Sequence, residues 1–155
     1  MITRVTKFTM KKLFLTGYEK STPEDFVPRL LAENITSVID VRETPLSRKN
    51  GFSKVVLKSL LEKRGIKYFH IPALGSPKTM REKLKNTNDY LSFFNNYRKY
   101  VKTKTSSVKK VIELVKTNGD SSALLCFEKN SDLCHRSIIA SEILKKSNQI
   151  KINSL

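Results

Sequence analysis

Leu124-Leu125-Cys126-Phe127-Glu128-Lys129-Asn130-Ser131-Asp132-Leu133-Cys134-His135-Arg136-Ser137 is the stretch that decides how this chain folds. The apolar run from Ala123 to Cys126, continued by Phe127 and bounded by polar residues, reads as a buried strand. Ser131 then offers a helix N-cap, and Leu133, Ile138, Ile139, Ala140, Ile143 and Leu144 recur at helical spacing. The prediction is strand, tight loop, helix. It puts Cys126 and Glu128 at the strand end and Cys134 to Arg136 in the first turns of the helix. Unpaired backbone N–H groups and the positive end of the helix dipole suit such a junction to an anion.

Outward from this stretch, strands and helices alternate. Lys12–Thr16 reads as a strand ended by Gly17-Tyr18-Glu19, with a short extra strand or a loose tail before it. Thr22-Pro23-Glu24-Asp25 opens a helix with a cap, a first-turn proline and acids at the positive end, although Pro28 interrupts its pattern. Phe26, Leu30 and Leu31 form its inner face. Thr36–Val41 is a second strand, leading into Asp40-Val41-Arg42-Glu43-Thr44-Pro45 and a basic loop with Ser47, Arg48 and Lys49. Ser53 starts a helix with Val56, Leu57, Leu60 and Leu61 inward, stopped by Gly65, and Ile66–Ile71 is a third strand. Tyr90, Phe93, Phe94, Tyr97 and Val101 make an aromatic stripe at helical spacing, read as core in preference to a base-stacking platform. Val108, Val111, Ile112 and Val115 mark another helix, and Ile150–Ile152 a last short strand.

The order predicts one α/β domain over residues 1–155. It is three-layered and Rossmann-like or flavodoxin-like: a mostly parallel sheet of about five strands with helices on both faces. A helical basic insertion falls at about residues 76–104. In such folds functional groups gather beyond the carboxyl ends of the strands.

Thirty Lys and Arg face fourteen acids, a net charge of +16, and residues 76–116 alone carry eleven against three, a net +8. A field of that sign draws polyanions, nucleic acid above all; the alternative is a solvated basic surface with no partner. Two cysteines without paired spacing argue against a disulfide scaffold and suit a reducing interior. No apolar run approaches the roughly 20 residues of a bilayer span, and Met1–Lys12 lacks a signal-peptide core, so a cytoplasmic location with no membrane partner is expected.

The site residues follow from the strand ends. Arg42 and Arg136 are candidate anion clamps, because a guanidinium pairs bidentately with phosphate; internal ion pairs with Asp40, Glu43 or Glu128 are the structural alternative. Ligand binding is assigned to Tyr18, Arg42, Ser47, Arg48 and Arg136, with Arg42 and Arg136 expected to converge on one point. The catalytic candidates are Glu19, Glu128, Cys134 and His135, either glutamate serving as acid–base group. Cys134 is the more suggestive thiol, since a helix N-terminus and nearby cations favour thiolate; Cys126 reads as a small buried hydrophobe and His70 as structural. Cys126, Cys134, His135 and His70 lack the usual two-residue zinc spacing, so no metal is assigned, and no cofactor is identified.

Asp-Val-Arg-Glu after a strand, with a later cysteine and Arg-Ser, partly looks like rhodanese sulfurtransferases and cysteine phosphatases. Those place an arginine about five residues after the cysteine in a glycine-containing loop. Cys126 and Cys134 precede Arg136 at other spacings, and no glycine intervenes. A closer resemblance covers nearly the whole chain. Gly17-Tyr18-Glu19, Asp40 to Arg48 with Phe52-Ser53-Lys54, Leu74-Gly75, Cys126-Phe127-Glu128 and Cys134-His135-Arg136 together resemble the domain of unknown function 488 family. That resemblance implies an α/β fold with these motifs at one site, and it carries no established activity. The expected function is an enzyme-like domain binding a phosphorylated ligand, a nucleotide or nucleic acid; the alternative is a non-catalytic basic nucleic-acid-binding module.

Overall fold

The strand read from Ala123–Cys126 is Ser121–Cys126, buried at all 6 of its positions. A strand in mid-sheet with helices on both faces has no polar side to show, so it appears as a continuous apolar run. The computed structural model describes residues 9–155. In chain order the elements are β1 (Lys11–Gly17), α1 (Pro23–Ala32), β2 (Ser37–Asp40), α2 (Lys54–Glu62), β3 (Lys67–His70), α3 (Lys78–Thr87), α4 (Tyr90–Lys102), α5 (Thr105–Thr117), β4 (Ser121–Cys126), α6 (Arg136–Lys146) and β5 (Ile150–Ser154). The expected extra strand or tail before β1 falls on residues 1–8, outside the described residues.

All five strands pair in parallel, in the order β3-β2-β4-β1-β5. Phe14, Val38, Ala123 and Leu125 face α1 and α2, packing on Phe26, Leu30, Leu57 and Leu61. Leu13, Leu15, Ile39 and Leu124 face α4, α5 and α6, packing on Tyr97, Val101, Val111, Val115, Ile139 and Ile143. The sheet is thus the middle of three layers. Chain connections leave β2 and β4, which are neighbours, for opposite faces, and a crevice opens beyond their carboxyl ends.

Local chemistry explains the boundaries and some departures from them. Thr22 caps α1 by accepting from the Asp25 N–H at 3.3 Å, with Pro23 in the first turn. Pro28 lies inside α1 without ending it, because it sits on the exposed side, where water can take the carbonyl it leaves unpaired. In α2 only Leu57 and Leu61 are fully inward; Val56, expected inside, is exposed, since a two-turn contact needs only the i and i+4 positions. Of the aromatic stripe expected inside, α4 buries Phe93, Tyr97 and Val101 and half-buries Phe94, whereas Tyr90, in its first turn, is exposed.

The stretch Leu124–Ser137 departs furthest from the predicted strand, tight loop and helix. Ser131 does not cap the last helix. The side chain of Asn130 accepts from Asp132 N–H at 3.0 Å and closes a separate 3-10 turn, Ser131–Leu133. Cys134 then takes an extended conformation (φ −130°, ψ 149°), which no helix accommodates, and α6 begins only at Arg136. Cys134 therefore lies in the connection before the helix, not in its first turn.

β2 ends in a buried ion pair. Asp40 accepts from Arg42 Nε (2.9 Å), Arg42 Nη2 (2.7 Å), the Arg42 backbone N–H (3.1 Å) and the Tyr68 hydroxyl. Arg42 Nη1 donates to the Tyr18 hydroxyl at 3.0 Å and to the Phe52 carbonyl at 2.8 Å. Burial works against the guanidinium's charge, but the hydrogen bonds and charge of Asp40 outweigh it and raise its pKa further. Burial and the same carboxylate also push the Tyr68 hydroxyl up, so it remains a donor. Removing one partner of such a pair strands the other in a dry site. Asp40→Ala should therefore cost about 3–5 kcal/mol in urea unfolding. A loss of roughly 0–1 kcal/mol, typical of an exposed pair, would show that the ends of β2 and β3 hold without it.

Candidate functional site

A cavity of about 390 Å³ lies beyond the carboxyl ends of β2 and β4. Cys126, Glu128, Cys134 and His135, from the end of β4 and the connection after it, form its floor; Ser76, Arg81, Lys85, Asn88, Tyr90 and Phe93, from α3, α4 and the residues beside them, form its wall; Arg42 and Glu43 also line it. Two glycines let the loops around it close. A Cβ on Gly17 would meet the Glu128 carbonyl oxygen at 1.8 Å, and one on Gly75 would meet the Glu43 backbone nitrogen at 2.1 Å. The glycines of the Gly17-Tyr18-Glu19 and Leu74-Gly75 motifs are thus points where backbone touches backbone.

His135 is the hub of the floor. Its Nε2 faces the Val41 carbonyl at 3.3 Å, and its Nδ1 lies 3.4 Å from Cys134 Sγ and 3.9 Å from Cys126 Sγ. The Tyr97 ring packs edge-on against the imidazole at 5.2 Å between centroids. A proton on Nε2 bonded to Val41 leaves Nδ1 as the acceptor facing the thiols. Burial alone would raise the Cys134 thiol, yet a hydrogen bond from Cys126 and the charge of His135 overcome it and hold Cys134 well below the usual thiol range. Cys126, donating to Cys134 and buried, is raised instead. Burial would lower the His135 pKa, but the negative charge on Cys134 raises it. A thiol held low beside a histidine whose Nδ1 faces it is an arrangement found in nucleophilic cysteines and, with the imidazole neutral, in metal-ligating ones. Burial and then the Cys134 charge push Glu128 up to about 7, where a carboxyl can give or take a proton at neutral pH.

The structure brings Arg42, Glu128, Cys134 and His135 to the cavity from among the residues singled out in the sequence. It places the others elsewhere. Tyr18 is buried, stacked on Phe52 at 4.5 Å, with its hydroxyl accepting from Arg42. Glu19 accepts from the Lys129 backbone N–H at 3.0 Å, stitching the loop after β1 to the loop after β4. Ser47 accepts from Lys49 N–H within the basic loop, and Arg48 is exposed there. Arg42 lines the cavity, but Asp40, Tyr18 and Phe52 take four of its five N–H groups. His70, considered beside the cysteines, lies apart and bonds the Arg42 carbonyl through Nε2 at 2.7 Å. Cys126, read as a plain hydrophobe, joins Cys134 and His135, and one donor atom from each lies within 4.8 Å of the others. Sequence spacing concealed this, since loop closure and not a short motif unites them. Arg81 and Lys85, which the sequence shows only as part of the basic window 76–116, also line the cavity; their i, i+4 spacing on α3 was the available signal.

Arg136 is fully buried and does not line the cavity. Its Nη2 donates to the Glu128 carbonyl, while its Nε and Nη1 and the Glu128 Oε2 have no hydrogen-bond partner among the described residues. It does not converge with Arg42, which is committed to Asp40. A guanidinium so buried and so little bonded opposes folding more than it helps. Replacing it with an apolar side chain of similar length, Arg136→Met, should leave denaturant stability unchanged or improved. A loss of about 3 kcal/mol or more would show that its bond to the Glu128 carbonyl holds the loop.

In reduced, chelator-treated protein, iodoacetamide should modify Cys134 faster than Cys126, with a rate that rises at lower pH than that of an ordinary thiol. Peptide mass spectrometry reads both sites. Equal rates that climb toward the ordinary thiol pKa would show two plain thiols.

No helix among the described residues is long and apolar enough to cross a membrane. No curated protein and no solved structure matches the chain. A family model, domain of unknown function DUF488, matches residues 22–143, from the cap of α1 into α6, and so takes in the cavity and its floor. On that match the chain belongs to the DUF488 family.

Proposed function

We propose that this chain is an enzyme-like domain that binds a phosphorylated ligand, a nucleotide or a nucleic-acid segment, in the crevice between β2 and β4. The observation that carries the reading is that one cavity is lined both by cationic side chains of α3 and by the reactive groups that follow β4. On the wall, Arg81 is steadied by Glu43 at 2.8 Å and by the Ser76 carbonyl, while Lys85, one turn on, forms no ion pair among the described residues. Both can meet phosphate oxygens. Tyr90 and Phe93 add an aromatic surface on which a base can stack. On the floor, Glu128 is the proton carrier, and Cys134 and His135 present the reactive pair. The net charge of +16 draws an anion toward the mouth from outside.

A second reading, a non-catalytic basic nucleic-acid-binding module, has its own support. α3 carries Lys78, Arg81, Lys83 and Lys85, all exposed, and turns only Met80 and Leu84 part-way inward, so most of its surface is available to a polyanion.

Inorganic pyrophosphate, nucleoside phosphates and short single-stranded RNA and DNA should be titrated over a salt series by calorimetry. Under the first reading, Arg81→Ala and Lys85→Ala each weaken binding about tenfold or more, the equivalent of about 1.5–3 kcal/mol for a charge-assisted contact. Nucleic-acid binding that ignores both changes and falls steeply with salt would favour the second reading. No binding of any probe at low salt would remove both.

A further inference from the structure

Cys126 ends β4, Cys134 follows the 3-10 turn, and His135 immediately precedes α6. Their donor atoms nevertheless meet: Nδ1 of His135 is 3.4 Å from Cys134 Sγ and 3.9 Å from Cys126 Sγ, and all three atoms fall within 4.8 Å of one another. A tetrahedral zinc centre, with Zn–S about 2.3 Å and Zn–N about 2.0–2.1 Å, spaces a nitrogen and a sulfur about 3.5–3.6 Å apart. The two observed separations lie on either side of that value. The ring is also turned as a metal-bound histidine is turned. Nε2 faces the Val41 carbonyl at 3.3 Å, which fixes the tautomer and frees Nδ1 for a metal.

All three donors are buried, yet all three line the cavity. The cluster is therefore enclosed by protein on one side and open to the crevice on the other. Two thiols and an imidazole are a soft donor set, suited to zinc and ill suited to magnesium or calcium. Glu128 lines the same cavity without belonging to the donor cluster, and its Oε2 has no hydrogen-bond partner among the described residues.

We propose that Cys126, Cys134 and His135 hold one zinc ion whose fourth position opens onto the cavity beside Glu128. Three protein ligands with one open position is the arrangement of a catalytic zinc; a structural zinc is closed by four protein ligands. The fourth position takes water or an oxygen of the bound ligand, and Glu128 stands where it can accept a proton from that water. The proposal goes beyond the anion-binding reading and does not depend on it: a protein that ignores every phosphate probe would still carry the metal.

The full chain should be produced in zinc-supplemented medium, purified reduced and without chelator, and assayed by plasma mass spectrometry. About one zinc per chain is expected, as for a single three-ligand site. Stripped and reloaded with cobalt(II), it should show thiolate-to-metal charge transfer and the intense visible bands of a tetrahedral centre. Cys126→Ser and Cys134→Ser should lose the metal, whereas Glu128→Gln should keep it. Far-UV circular dichroism checks that each variant is folded, and if the cysteine variants unfold, the wild-type cobalt spectrum decides alone. Wild-type protein that stays metal-free in excess zinc, cobalt bands without thiolate charge transfer, or full metal content in folded Cys134→Ser would each overturn the proposal.

Discussion

The ion pair between Asp40 and Arg42 is the constraint on which the site depends. Asp40 at the end of β2 binds the Nε–Nη2 edge of the Arg42 guanidinium and takes the Tyr68 hydroxyl from β3, while Arg42 Nη1 reaches Tyr18 after β1 and the Phe52 carbonyl before α2. Strand ends that would otherwise splay as loops are thereby tied together. The residue between the pair is Val41, and its carbonyl orients His135; the carbonyl of Arg42 itself holds His70. A carboxylate that never reaches the cavity therefore sets the direction of the imidazole that does.

α4 supplies a second brace from the opposite layer. Tyr97 is fully buried, its hydroxyl donates to the Leu74 carbonyl at 2.6 Å, and the edge of its ring meets His135. One side chain thus positions both the loop that Gly75 packs against Glu43 and the histidine of the floor. Burial keeps the Tyr97 hydroxyl protonated, so it remains a donor to that carbonyl. Such bracing lets reactive groups sit in a connection between elements without losing their geometry.

Charge of both signs meets in the cavity. Arginine and lysine from α3 line it together with a thiol held well below its usual range and a carboxyl that titrates near neutrality. The buried Arg136 adds a positive charge close enough to favour the Cys134 thiolate while it bonds only the Glu128 carbonyl. Groups of opposite sign gathered in one crevice are suited to holding an anionic ligand and to moving a proton beside it.

Period and punctuation in the sequence determined the architecture. The alternation of buried strands with helices, Thr22-Pro23 opening α1, the inward stripe of α4 and the strand ends at Asp40 and Cys126 were all legible, because each depends on neighbours a few residues away. The same logic gathered Glu128, Cys134, His135 and Arg42 at one edge of the sheet. Local signals did not extend to the loop after β4. Ser131 and Asn130 are both good caps, and only the folded chain shows Asn130 closing a separate turn and leaving Cys134 extended. Tertiary structure alone decided that Arg42 spends its donors on Asp40 and that Tyr18 turns inward to Phe52. It also decided that Cys126 meets Cys134 and His135 and that Arg81 and Lys85 line the same cavity. Those pairings join residues distant in sequence, through strand register and the close approach of backbones at Gly17 and Gly75, and no spacing along the chain encodes them.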